Sequence, residues 1–221
     1  MTAEAGPRTL SLSVAPEAAD LAAYLTRQLR WDRAAVARLQ ADGTALAVFT
    51  RPARFAVLAV RTCRLRTPAR LDATVSAGEL AEAIDVERGE LVLPGQVTGP
   101  AWVGLLPPRA GWRALAEPAV ERVREAAAAV VAEFRARSEA LPRAERTRAA
   151  LDALAEEIWS RTLPGTEVPL RAVHAAHALG FLRAAGPVTV LAAGAWLRLR
   201  TPLGSTAVRR AGLPGLSVTP R

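Results

Sequence analysis

The stretch from Glu117 to Arg161, EPAVERVREAAAAVVAEFRARSEALPRAERTRAALDALAEEIWSR, decides how the rest of the chain is read. Val120, Val123, Ala127, Val130, Phe134, Arg137 and Leu141 recur at alternating spacings of three and four, and all but Arg137 are apolar or small. Residues so spaced fall on one helix face, which predicts a helix with a coiled-coil-like seam. Glu117-Pro118 suits its start, because proline at the first helical position loses no needed N–H and an acid favours the positive end of the dipole. Leu141-Pro142 stops it, since the residue before proline is pushed out of the helical region. Thr147, Leu151, Leu154 and Ile158, with Trp159 alongside, then repeat the spacing. The two seams meet only if the chain folds back, so residues 117–161 are expected to form an antiparallel helical hairpin with its turn near Pro142.

On the N-terminal side, Thr9 to Val14 alternates Leu with polar residues, as a half-buried strand does. Pro16 opens a helix to about Arg30, with Leu21, Leu25 and Leu29 on its buried face. Residues 35–40 and 45–50 flank Asp42-Gly43, whose positive-φ preference signals a hairpin. Arg51-Pro52-Ala53 is a turn before a third strand, residues 55–65, and residues 71–75 suit another. Ser76 and Glu79 have capping-box spacing ahead of a short helix ending near Ile84, and residues 90–93 form a short strand. The expectation is a β-α-β-β-β antiparallel sheet layer. A loop rich in Pro and Gly, residues 94–111, ends the first domain (1–112), with Trp102 and Trp112 docked on the core.

On the C-terminal side, Pro169 to Leu179 reads as a helix closed by Gly180, with Phe181 folding back. Residues 188–191 and 195–201 pair around Ala193-Gly194, and residues 206–210 add a last strand. The second domain (113–221) is thus the helical hairpin, a helix and a β-meander, an order loosely similar to a winged helix. Residues 1–8 and the tail from Gly212 to Arg221 are expected to be loose. The fold class is α+β.

The chain has 221 residues, 51% hydrophobic and 23% charged, which is a globular composition with room for a sizeable core. It has no Lys and no Asn, yet carries a net charge of +8. Residues 1–70 hold eleven Arg against five acids and residues 166–221 seven against one, while residues 71–112 are acidic and residues 113–165 balanced. Basic charge therefore gathers at both ends of the chain. That pattern favours an anionic polymer or an acidic protein surface as partner. A single cysteine, Cys63, excludes an internal disulfide or a multi-cysteine metal knuckle. The N-terminus lacks the pattern of a signal peptide, and the longest apolar run, Ala184 to Leu197, is short for a membrane span. A cytoplasmic protein without membrane contact is expected.

Without Lys there is no P-loop, Schiff base or lysine general base, and no G-x-G-x-x-G or G-x-S-x-G opens a helix. No catalytic residue and no cofactor is assigned. His174 and His177, three apart on one helix, could share a metal, but two ligands fall short of the usual three or four. Partly buried histidines bonded to neighbours are the favoured reading, and an enzyme built around them is the third functional reading. Cys63 has flanking arginines that could activate a thiol, but burial is favoured, since free cysteine is among the most buried residue types. In Trp196-Leu197-Arg198-Leu199-Arg200, strand alternation puts Leu197 and Leu199 on one face and Trp196, Arg198 and Arg200 on the other. Arg209 and Arg210 come from the next strand. An aromatic platform among guanidinium groups can stack a base and hold phosphates, so these five residues are the candidate nucleic-acid or anion site; the favoured alternative, since charge runs are usually solvated faces, is that Trp196 covers the helical hairpin and the arginines pair with its acids. The leading expectation is a non-enzymatic binding or regulatory protein that engages an anionic partner, nucleic acid foremost, through its basic ends. The second is a protein–protein adaptor or homodimer that uses the helical hairpin.

Overall fold

The computed structural model describes residues 8–53 and 55–210. Apart from Arg8, both of the expected loose tails lie outside these residues. Among the described residues, nine strands and five helices follow in the order β1 (Thr9–Ser11), α1 (Ala15–Leu29), β2 (Val36–Thr50), β3 (Leu58–Ser76), α2 (Ala77–Glu82), β4 (Ile84–Asp85), β5 (Glu90–Val92), β6 (Arg113–Ala116), α3 (Val120–Ala140), α4 (Arg148–Ser160), α5 (Leu170–Ala178), β7 (Thr189–Ala193), β8 (Trp196–Thr201) and β9 (Gly204–Arg209). A 3-10 turn, Ala101–Gly104, sits in the loop before β6. The architecture is α+β with antiparallel sheets. None of the described helices is long and apolar enough to cross a membrane.

The main sheet has six strands in the order β2-β3-β9-β8-β7-β6, and a small sheet has the order β1-β5-β4. Asp42-Gly43 is not a hairpin turn, contrary to the sequence expectation. β2 and β3 form one long antiparallel ribbon, from Val36↔Ser76 to Thr50↔Ala59, and the register slips between Gly43 and Ala45. Gly43 supplies positive φ (62°) to a β-bulge within a strand, a second use of the conformation that marks turns. The ribbon turns instead after Thr50, through Arg51 and Pro52. The expected β-α-β-β-β layer is accordingly β-α-β-β, with residues 71–75 belonging to β3, and β1 pairs with β5 in the small sheet. The C-terminal meander β7-β8-β9 does not make a separate winged-helix unit. It joins the N-terminal ribbon through Leu58↔Ala207, Ala59↔Thr206 and Val60↔Ser205.

The helices cover one face of this sheet. Leu197, Leu199, Val190, Val208, Ala59 and Val48 lie there in the main core with Tyr24 and Leu25 of α1 and Ala172, Val173 and Ala176 of α5. Polar anchors fix the helices in register: Thr206 Oγ1 donates to the Ala172 carbonyl (2.9 Å), and buried Arg61 pairs with Asp20 of α1 (2.9 Å). Helix α5 ends in a Schellman motif. Gly180 (φ 79°) donates to His177 and Phe181 donates back to Ala176 (2.8 Å). The Phe181 ring then rests 5.3 Å from that of Tyr24.

Helices α3 and α4 run antiparallel, as the pairs Arg161–Glu133 (2.7 Å) and Arg137–Glu157 (2.6 Å) require. Val123, Ala127, Val130, Leu154 and Ile158 are buried in the chain's own core, so this seam is used internally. Arg137 stays exposed at the seam's outer end and bonds both Glu157 oxygens. Thr147 is the N-cap of α4, accepting from the Ala150 N–H (3.2 Å), and not a seam residue. Ile158→Ala should lower stability by about 2–5 kcal/mol, the cost of a fully buried large-to-small change, measured by urea denaturation.

Candidate functional site

A cleft of about 860 Å³ opens at the end of the main sheet where β2 and β9 finish and β3 and β8 begin. Its walls come from both halves of the chain: Arg51 after β2, Trp102 in the 3-10 turn, Arg171 of α5, Trp196 of β8, Arg209 of β9 and Arg210 just beyond. The positions of these groups follow from local structure. Gln28 of α1 has no solvent exposure, accepts from Thr50 Oγ1 (3.1 Å) and donates to the Arg51 carbonyl (3.2 Å). That pins the backbone from which the Arg51 side chain reaches the cleft. Trp196 and Arg209 are direct cross-strand partners, which sets an indole beside a guanidinium on one sheet face. The Arg210 N–H donates to the Ala195 carbonyl (2.8 Å) and extends the ladder one step.

Glu156 and Glu167 also line the cleft, each paired: with Arg171 (2.5 Å) and with Arg210 (3.1 Å). Arg51 and Arg209 form no ion pair among the described residues, and the Nε of Arg210 is buried without an acceptor. The cleft thus combines two half-buried indoles with an excess of positive charge, and two of its guanidinium groups, those of Arg51 and Arg209, are free of ion pairs among the described residues. Such a surface suits a flat, partly apolar group attached to an anion.

Comparison with known proteins fits this architecture. Residues 5–104 match the family described as Domain of unknown function (DUF8010), and residues 107–213 that described as Domain of unknown function (DUF8185). No curated protein sequence matches the chain. Among solved structures, the DNA polymerase sliding clamp from Pseudomonas aeruginosa aligns over 94% of this chain at 11% identity, with a TM-score of 0.50. The H. pylori beta clamp, solved in complex with 5-chloroisatin, aligns over 94% at 9% identity, also at 0.50. The fold resembles that of the sliding clamps. The chain spans 66% and 65% of those two clamp chains.

Within this clamp-like fold the residues nominated from sequence divide into two groups. Trp196, Arg209 and Arg210 line the cleft. Arg198 and Arg200 share the strand face of Trp196, with Leu197 and Leu199 buried behind them, but they do not line it. Arg198 is half-buried: its Nε donates to Ser205 (2.8 Å) and its guanidinium lies 5.4 Å from the Trp112 ring centroid. Burial, and Arg200 beside it, lower its pKa. Trp112 is docked there, and its Nε1 donates to the Pro108 carbonyl (2.8 Å). The loop before β6 is held at its start by the Val97 N–H on the Thr74 carbonyl (2.9 Å). Arg51, Trp102 and Arg171 have no local motif; only the fold brings them to the cleft.

Cys63 is buried, and burial pushes its thiol up to about 11, so no thiolate forms there at neutral pH. His174 is enclosed by rings. It stacks on Trp159 (5.2 Å, 20° between planes) and meets Phe55 edge-on (5.1 Å), while Phe134 and Trp31 extend the aromatic row at its two ends. His177 is exposed on the same helix, and no cluster of three metal-ligating side chains occurs among the described residues.

Burial, and His177 beyond it, push the His174 pKa down to about 4. An unfolded histidine titrates near 6.5, so between pH 6.5 and 4 the unfolded chain binds a proton that the folded chain does not. Stability from this group is complete above pH 6.5 and is lost as pH falls towards 4. His174→Phe, which keeps a ring in the row, should remove about 2 kcal/mol of that pH dependence, measured as the difference in unfolding free energy between pH 7 and pH 4.5.

Proposed function

We propose that this chain is a non-enzymatic binding protein of clamp-like fold that engages nucleic acid through the cleft at the end of its main sheet. The observation that carries this reading is the convergence on that cleft of Arg51 from one basic end of the chain and of Trp196, Arg209 and Arg210 from the other, with Trp102 added by the acidic segment between them. Indoles take base faces and guanidinium groups take phosphates, without sequence-specific hydrogen bonds. The P. aeruginosa protein whose fold it resembles is a DNA polymerase sliding clamp, which supports a DNA-related role. Arg198, tied to Ser205 and Trp112, plays a structural part on this reading, and Arg200, near the far end of β8, takes no part in the cleft.

We keep a division of the chain near residue 112, supported by the two family matches that meet between residues 104 and 107. A protein-interaction role is the second reading, favoured by the mixed charges on the outer face of α3 and α4. A homodimer through the hairpin would have to use that charged face, because the apolar seam is buried within the chain.

A fluorescein-labelled thymidine 20-mer should bind measurably at about 50 mM salt and weaken steeply by about 200 mM. Arg209→Ala should lower the salt slope by about one, the signature of one lost phosphate contact, while Arg198→Ala leaves it unchanged. Absence of binding at about 50 mM, where phosphate contacts are strongest, would transfer the assignment to the protein-interaction reading.

A further inference from the structure

A second cavity of about 410 Å³ adjoins the cleft, lined by Asp32, Arg51, Pro52, Ala53, Ala56 and Trp102. Arg51, Ala56 and Trp102 line both. The two are therefore lobes of one groove, with a guanidinium and an indole at their junction. Each lobe is of a size that takes one small-molecule-sized group, since pockets for such groups run from about 300 to 1,000 Å³.

From this shape we infer that the groove binds a nucleic-acid strand running through both lobes, and not a mononucleotide, with Trp102 stacking a base and Arg51 holding the phosphate at the junction. The inference rests on the nucleic-acid reading above and specifies its ligand. Charge supports the direction of the strand's path. The larger lobe carries Arg209 and Arg210, and Arg51 follows at the junction. Neither Arg51 nor Arg209 has an ion-pair partner among the described residues, while Arg210 is held by Glu167 (3.1 Å). Successive phosphates meet successive donors along such a line, whereas a mononucleotide reaches one lobe only. Asp32 is the acid of the smaller lobe, so that lobe is suited to a base edge or sugar more than to a phosphate.

The test measures binding of thymidine monophosphate and of thymidine oligomers of two, four and eight nucleotides to the full chain at about 50 mM salt. Poly-glutamate of matched charge serves as the probe for an acidic protein surface. The eight-mer should bind at least about 10-fold more tightly than the monophosphate, the value of one further stacked base. Trp102→Ala should cost the eight-mer about 10-fold and Trp102→Phe should restore most of it, while Arg51→Gln should lower its salt slope by about one. Should Trp102→Ala fail to fold, as judged by circular dichroism, Arg51→Gln and the length series decide the matter alone. Equal affinity for monophosphate and eight-mer, or unchanged eight-mer binding by Arg51→Gln, would overturn the strand inference while leaving nucleic-acid binding in place. Binding of poly-glutamate with no oligomer bound would overturn both.

Discussion

Three residue pairs join the strands of the two halves of this protein into one sheet. Leu58, Ala59 and Val60 of β3 pair with Ala207, Thr206 and Ser205 of β9, and every strand of the main sheet is continuous through that seam. Ala59 and Thr206 face the helices, and neither has any solvent exposure. Leu58, Val60, Ser205 and Ala207 face the other way and are buried as well, outside the main core. A junction buried on both faces cannot slip by one residue without turning Thr206 away from the Ala172 carbonyl and exposing apolar surface. The cleft depends on the same seam, because its walls are the strand ends that the register brings together.

Buried polar groups then set the helices on the sheet. Tyr24, Gln28, Thr50 and the Ala59 and Arg51 carbonyls form one hydrogen-bonded cluster between α1 and the turn of the ribbon. Burial raises the Tyr24 phenol well above its ordinary value, so it remains a neutral hydroxyl in that cluster. Arg61 does similar work further along: its guanidinium meets Asp20 and the Leu203 carbonyl, and so ties α1, β3 and the turn before β9. Buried donors of this kind cost stability if left unpaired, which makes one helix placement much better than its neighbours.

Much of the helical part was legible in the sequence because its signals are local. Leu141-Pro142 ends α3, Pro118 precedes it, and Gly180-Phe181 closes α5 through contacts within six residues. The strand alternation of residues 196–200 likewise placed Leu197 and Leu199 inside. Asp42-Gly43 misled because positive φ serves a bulge as well as a turn, and only the partner strand distinguishes the two. The cleft was half legible. Trp196, Arg209 and Arg210 are near one another in sequence, whereas Arg51 and Trp102 come from distant segments whose meeting is a property of sheet order. Trp102 carries the composition of a core residue, and its half-buried place at a groove junction is a tertiary outcome.

The β3–β9 seam also bears on how the protein is made. Val60 leaves the ribosome on the order of 140 residues before its partner Ser205. At about 5–20 residues per second, the edge of β3 waits roughly 7–30 s for a matching strand. Through that interval the nascent chain displays a row of unpaired backbone groups flanked by Leu58 and Val60. Its yield in a cell should therefore depend on whatever shields that edge during synthesis, more than on the stability of the finished fold.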